Sequence, residues 1–259
     1  AYLEVLDGRD GAEHLEEIAL LTGELYDVTE VSVHGTGIAM APDGSSGIFQ
    51  VVEDGATVTK LVDLSSGVVI ETVPSGRVAL GSDGAIAYLA VEPTPALIEA
   101  RAQQAQATSR AARREAAVAT AWEESKASTL VMRVAGQTSA VELAGAAPIS
   151  LQFAPDANVL FVLASPPEDP SNVTVHRVAE DGTVDVIDPS PGLKDGLMVA
   201  AGGRHVVFVT RAGLTVRDLV DGSVSTFEGA ASPSISADGS MLTFMRTAEQ
   251  LEIVALPLT

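Results

Sequence analysis

Cysteine is absent from the 259-residue chain. Without a thiol there is no disulfide, no thiolate zinc or iron–sulfur site, no covalent haem attachment and no cysteine nucleophile. Positive charge is scarce: 15 Lys and Arg face 35 Asp and Glu, for a net charge of -20. A surface of that sign repels nucleic acid and anionic membranes, so neither is expected as a partner. No apolar run approaches the ~20 residues needed for a membrane-spanning helix. Catalytic signatures are missing as well, with no Gly-x-Ser-x-Gly elbow, His-Glu-x-x-His helix, phosphate loop or dinucleotide-binding glycine pattern. No catalytic residue, metal or cofactor is therefore expected. The histidines His14, His34, His176 and His205 are scattered, which reads as independent side chains rather than ligands. Asp7-Gly8-Arg9-Asp10-Gly11 lacks the carboxylate spacing and terminal Glu of a calcium loop and reads as a turn. The chain opens Ala1-Tyr2-Leu3-Glu4, without Met or a basic-apolar signal, which suggests a removed leader or a missing start.

What the sequence does have is a repeat, and 46% apolar residues to build a core around it. A short motif ending in Asp-Gly or a close variant recurs at Ala41-Pro42-Asp43-Gly44, Gly81-Ser82-Asp83-Gly84, Ala154-Pro155-Asp156-Ala157, Ala200-Ala201-Gly202-Gly203 and Ser236-Ala237-Asp238-Gly239. Each copy lies between apolar, β-prone runs, such as Ile38-Ala39-Met40 before the first and Ile48-Phe49-Gln50-Val51 after it. Apolar run, Asp-Gly turn, apolar run is a β-hairpin, because Asp and Gly tolerate the positive φ that tight turns require. A second hairpin follows in each unit, as in Val58 to Leu64, Ser65-Ser66-Gly67, Val68 to Thr72. Four short antiparallel strands in about 40 residues make one blade of a β-propeller.

These phrases resemble the WD40-like (PD40) repeat of TolB-type and prolyl-oligopeptidase-type propellers. The match is closest at Ala41-Pro42-Asp43-Gly44 with Val62-Asp63-Leu64-Ser65-Ser66-Gly67, and good at Arg217-Asp218-Leu219-Val220-Asp221-Gly222. The resemblance implies that Asp43, Gly44, Asp83, Gly84, Asp156, Asp238 and Gly239 are structural turn residues rather than active groups. The expected fold is all-β, a propeller of five or six four-stranded blades with one long helical insertion. Residues 1-30 supply a strand that closes the ring or a partial blade, residues 31-91 and 129-259 form blades, and residues 92-128 form the insertion.

The insertion begins at Thr94-Pro95, a helix cap with proline in the first turn, and Ala96 to Lys126 contains neither Gly nor Pro. A single straight helix would be about 46 Å long; a hairpin breaking near Gln103 to Ser109 is the alternative. Its large apolar residues, Leu97, Ile98, Val118 and Trp122, sit only near its ends, so the segment is expected to project. Five basic residues against four acidic ones give it +1, which leaves -21 for the rest. Trp and Arg are enriched at binding hot spots, so Arg110, Arg113, Arg114 and Trp122 are the candidate contacts of a protein partner through residues 96-126. For Trp122, packing on its own blade is the competing reading. The acidic loop Pro166 to Asn172 reads as a solvated connection, and Asn172-Val173-Thr174 as a glycosylation sequon in pattern only.

Twelve Arg against three Lys, with abundant Ala, point to a GC-rich bacterial genome. The expected function is non-enzymatic: a protein-binding scaffold or accessory subunit of a bacterial, periplasmic or extracellular complex, with the insertion as docking arm. Two alternatives stand beside it. One is the propeller of a prolyl-oligopeptidase-like serine peptidase without its catalytic domain, and the other is a propeller binding a ligand or ion in its central channel.

Overall fold

In the computed structural model, the structure describes residues 2–6, 13–18, 25–27, 38–41, 43–53, 56–73, 77–236, 239–247 and 251–258. Asp238, His34 and the Asp7 to Gly11 turn fall outside them. The described chain is strand after strand, grouped in six antiparallel sheets, none of them closed on itself. The first holds β1 (Tyr2–Leu6), β2 (Glu13–Ile18) and β3 (Leu25–Asp27). Four sheets of four strands follow: β4 (Ile38–Met40) to β7 (Val69–Val73), β8 (Val78–Leu80) to β11 (Gln137–Val141), β12 (Ala147–Phe153) to β15 (Val184–Asp188), and β16 (Lys194–Val199) to β19 (Val224–Glu228). Three strands, β20 (Ala230–Ile235), β21 (Met241–Thr247) and β22 (Leu251–Pro257), form the last. The first strands β4, β8, β12, β16 and β20 neighbour one another in succession, the arrangement of blades in a propeller.

The sequence dictates this packing through its unbroken apolar runs. A strand with one face in water alternates apolar and polar residues, whereas a strand buried on both faces does not. β13 (Leu160–Ser165) is buried at every position. Leu160, Val162 and Ala164 join Leu89, Leu130 and Met132 of the preceding sheet, while Phe161 and Leu163 join Val206 and Phe208 of the following one. β17 (His205–Thr210) repeats the device, sending Val206 and Phe208 to one side and Val207 to the other, against Leu242 and Phe244. Four apolar clusters thus fill the four spaces between the five sheets from β4 to β22.

The Asp-Gly turns join the first and second strands of each of these sheets and also touch from blade to blade. The Asp43 carboxylate accepts from the Asp83 amide (3.1 Å), the Ser82 hydroxyl donates to the Pro155 carbonyl (2.8 Å), and the Asp156 carboxylate accepts from the Gly202 amide. Gly239 is held at φ +70° with its α-carbon so close to the next turn that a Cβ would stand 2.4 Å from the Ala201 nitrogen. These residues fasten the blades together.

Tyr2–Leu6 pairs with Glu13–Ile18, not with the terminal strand β22. A partner close in sequence involves far less loop closure than one some 240 residues away. Of the two forms open to the insertion, one straight helix or a hairpin breaking near Gln103 to Ser109, it takes the second, with α1 (Pro95–Gln106) and α2 (Arg110–Lys126). The first helix ends at Ala107, whose backbone is extended, and Ser109 caps the second, its hydroxyl accepting from the Ala112 amide at 3.1 Å.

Candidate functional site

The helical hairpin connects β9 (Ile86–Val91) to β10 (Ser128–Val134), the second and third strands of their sheet. Strand direction alternates in such a meander, so the hairpin leaves at the end opposite the Asp-Gly turns. Its base is zipped shut. Val91 pairs with Ser128, and beyond that pair the Glu92 amide donates to the Ala127 carbonyl at 2.9 Å. At the start of α1 the Thr94 hydroxyl accepts from the Leu97 amide (3.2 Å), and the Leu97 side chain is fully buried.

The lower half of α2 is fixed to the blades. The Ser125 hydroxyl donates to the Pro148 carbonyl in β12. Arg77 spans the joint, with one guanidinium nitrogen donating to the Ile149 carbonyl (3.2 Å) and another to the Ala121 carbonyl (3.3 Å). Burial pushes the Arg77 pKa down, and the nearby Glu124 carboxylate acts in the other direction. Across the hairpin Arg101 pairs with Glu124 at 2.9 Å, and Lys126 pairs with Glu123 at 2.5 Å. Trp122 is half-buried beside this anchor, between buried Thr120 and Ser125.

The upper half differs. Arg110, Arg113 and Arg114 are all exposed at the start of α2. Arg113 also closes the tip, its Nε donating to the Ala107 carbonyl at 3.0 Å. Further along α2, Val118 exposes 66% of its surface. With Glu115 the only carboxylate between residues 102 and 118, the tip carries +2 on a chain of -20. The upper half of the hairpin is thus basic and partly apolar, unlike the acidic chain that carries it.

The other sequence candidates are dispersed. Asp43 keeps its carboxyl below the ordinary range through hydrogen bonds from the Ser45 amide and hydroxyl, consistent with a turn residue. His176 is buried in β14 (Thr174–Val178), its Nε2 2.8 Å from the Thr174 hydroxyl, and burial lowers its pKa. His205 lies 3.3 Å from the Asp218 carboxylate. That carboxylate is held far below its usual range by the Arg204 guanidinium and by the Val220 and Asp221 amides. The His14 side chain is outside the described set. Among the described residues no three metal-ligating side chains converge, and no helix is long and apolar enough to cross a membrane. Sequence reasoning missed Arg77, whose acceptors lie 44 and 72 residues away, and no local pattern marks it.

No protein-family model and no curated protein matches the sequence. Solved structures do match. TolB from Acinetobacter baumannii aligns over 94% of this chain and 57% of its own, with TM-score 0.57 and 15% identity. Putative TolB from Agrobacterium tumefaciens aligns over 99% of this chain and 87% of its own, with TM-score 0.57 and 16% identity. Prolyl endopeptidase aligns over 99% of this chain but 38% of its own, with TM-score 0.62 and 14% identity. The chain therefore spans little more than half of the Acinetobacter TolB structure and a smaller share of the peptidase. At such identities the likeness speaks for the fold, and the fold it gives is that of a TolB-like, PD40-type β-propeller.

Proposed function

We propose that this propeller is a non-enzymatic protein-binding scaffold, an accessory subunit of a bacterial extracytoplasmic complex, with the helical hairpin as its docking arm. The observation carrying this is the contrast within the hairpin, whose base is fixed by Arg77, Ser125 and Leu97 while its tip exposes Arg110, Arg113, Arg114 and Val118. A preorganised arm loses little conformational entropy on binding. Its arginines offer forked donors to carboxylates, and Val118 supplies apolar area. The extracytoplasmic assignment draws on the TolB-like fold alone.

The test is a charge reversal, R110E/R114E, which spares the Arg113 bond that closes the tip, with a photocrosslinker placed at Val118 of the parent protein in cells of the source organism. The expected result is a defined crosslinked protein partner whose capture falls about tenfold or more in the variant, with unchanged circular dichroism and melting temperature. A variant that captures the same partner equally well would refute the docking arm.

A second reading, the propeller of a prolyl-oligopeptidase-like peptidase, is favoured only by the endopeptidase likeness. A native polypeptide that carries this chain and reacts with a fluorophosphonate serine probe would support it.

A further inference from the structure

A groove of about 450 Å³ lies between the sheet β12–β15 and the sheet β16–β19, away from the hairpin. Its walls are apolar, with Val159 and Ile187 from one sheet and Leu219 and Val220 from the other. Three of the chain's twelve arginines, Arg177, Arg204 and Arg217, also line it. Two lining carboxylates, Asp185 and Asp218, and the flanking Asp188 and Asp221 stand against them, so a quarter of the chain's arginines gather here among aspartates.

The three guanidiniums are not equally engaged. Arg204 is committed, donating from Nε (2.9 Å) and a terminal nitrogen (2.7 Å) to Asp218. Arg177 approaches Asp185 only to 3.8 Å, and Arg217 approaches Asp188 only to 3.8 Å, both beyond hydrogen-bonding range. The Asp188 oxygen nearest Arg217 already accepts from the Ser190 amide (3.0 Å) and hydroxyl (2.6 Å). Arg217 Nε is buried and has no hydrogen-bond partner. A guanidinium fork is shaped for two oxygens of one anion, and about a quarter of the Arg217 side chain stays accessible to one although its Nε is buried.

We infer that this inter-blade groove binds a small organic oxyanion, its carboxylate or phosphate held by Arg217 and Arg177 and its apolar body lying between Ile187 and Leu219. The volume falls in the range of small-molecule sites, which combine apolar walls with a few convergent polar groups. Carboxylate and phosphate share the recognition chemistry, so the probes must separate them.

The experiment titrates the 15N-labelled full chain with butyrate, hexanoate, hexyl phosphate and, as the cationic control, hexylamine, reading the arginine Nε–H resonances. Hexanoate is expected to shift Arg217 and Arg177 saturably and to bind about tenfold more tightly than butyrate, from two further buried methylenes. Tighter binding of hexyl phosphate assigns the site to phosphate monoesters, and tighter binding of hexanoate assigns it to carboxylic acids; either upholds the site. Arg217→Leu is expected to weaken binding at least tenfold, with Arg217→Lys failing to restore it. Val220→Glu, at an exposed rim position, is expected to block the anion by repulsion without touching the core. Absence of saturable shifts up to 50 mM (an upper limit of roughly the weakest useful affinity), equal binding of hexylamine, or hexanoate binding unaffected by both Arg217→Leu and Val220→Glu would overturn the inference.

Discussion

Leu97→Ala tests whether the hairpin is a separately stabilised unit carried by the propeller. Leu97 is fully buried, at the first turn of α1. Removing its side-chain methyl and methine groups forfeits transfer energy and leaves a cavity, together about 2–5 kcal/mol. The remaining anchors are the Ser125 hydroxyl on Pro148 and the Arg77 bond to the Ala121 carbonyl. Neutral bonds contribute about 1 kcal/mol and charged ones about 1.5–3 kcal/mol each. The loss is thus comparable to what is left, and the hairpin should open far more often without leaving the blade. In native-state hydrogen exchange this appears as an increase of about 30- to 4,000-fold in the exchange of α1 amides that open locally. Amides at the centre of β13, which report global unfolding, should change much less. If α1 and β13 accelerate by the same factor, the hairpin opens only with the whole fold and the reasoning fails. If neither changes, Leu97 is not an anchor.

Gly239→Ala is expected to destabilise by several kcal/mol, of the order of the larger single-site effects, because its Cβ would meet the Ala201 nitrogen at 2.4 Å; a chemical-denaturation midpoint within error of the parent would refute the turn-to-turn packing. Asp156→Ala removes the acceptor of the Gly202 amide and is expected to cost about 1 kcal/mol, measured in the same assay. Burial lowers the His176 pKa from 6.5, so the unfolded chain binds the proton more readily; stability should fall as pH drops from 7.5 to 5.5, and His176→Gln should flatten that slope in urea titrations. Asp43, Asp63 and Asp218 have lowered pKa values, so their contribution is full above pH ~4 and is lost as pH falls further, visible as acid unfolding that Asp63→Asn makes shallower.

The blades were legible because the propeller writes two independent signals into the chain. The turns need Asp and Gly, and strands buried on both faces need continuous apolar runs such as Leu160 to Leu163. Each signal is local, so no knowledge of distant contacts is required. The hairpin's first cap, Thr94 before Pro95, was equally local, and its break lies within the Gln103 to Ser109 window. The anchor and the groove were not legible. Arg77 meets carbonyls of a helix and a strand from other parts of the sequence, and Arg177 and Arg217 come to one groove from different blades. Nothing within a few residues of any of these arginines distinguishes it from a solvated one. Trp122, the single tryptophan, drew attention by type, yet it sits half-buried beside the anchor, while Ile98, Val118 and the three tip arginines are exposed.

The placement of the insertion also explains how the fold carries it. β9 and β10 are paired from Val91–Ser128 onward, so the insertion begins and ends at one β-bridge. Lengthening a connection from a tight turn to roughly 36 residues raises loop-closure entropy by about 2.5 kcal/mol, since that cost grows only with the logarithm of length. Burial of Leu97 and the Arg77 and Ser125 bonds offset a cost of that size. An arm anchored in this way is ordered before any partner arrives, and its charge is opposite to that of the body behind it. Association with an acidic partner surface would then be guided by the tip, because the body repels such a surface while Arg110, Arg113 and Arg114 attract it. The expected signature is an association rate that falls with added salt and a dissociation rate that barely changes. Stopped-flow measurement with the crosslinked partner, once purified, decides this: a salt-independent association rate would show that the arginines contribute contacts without steering.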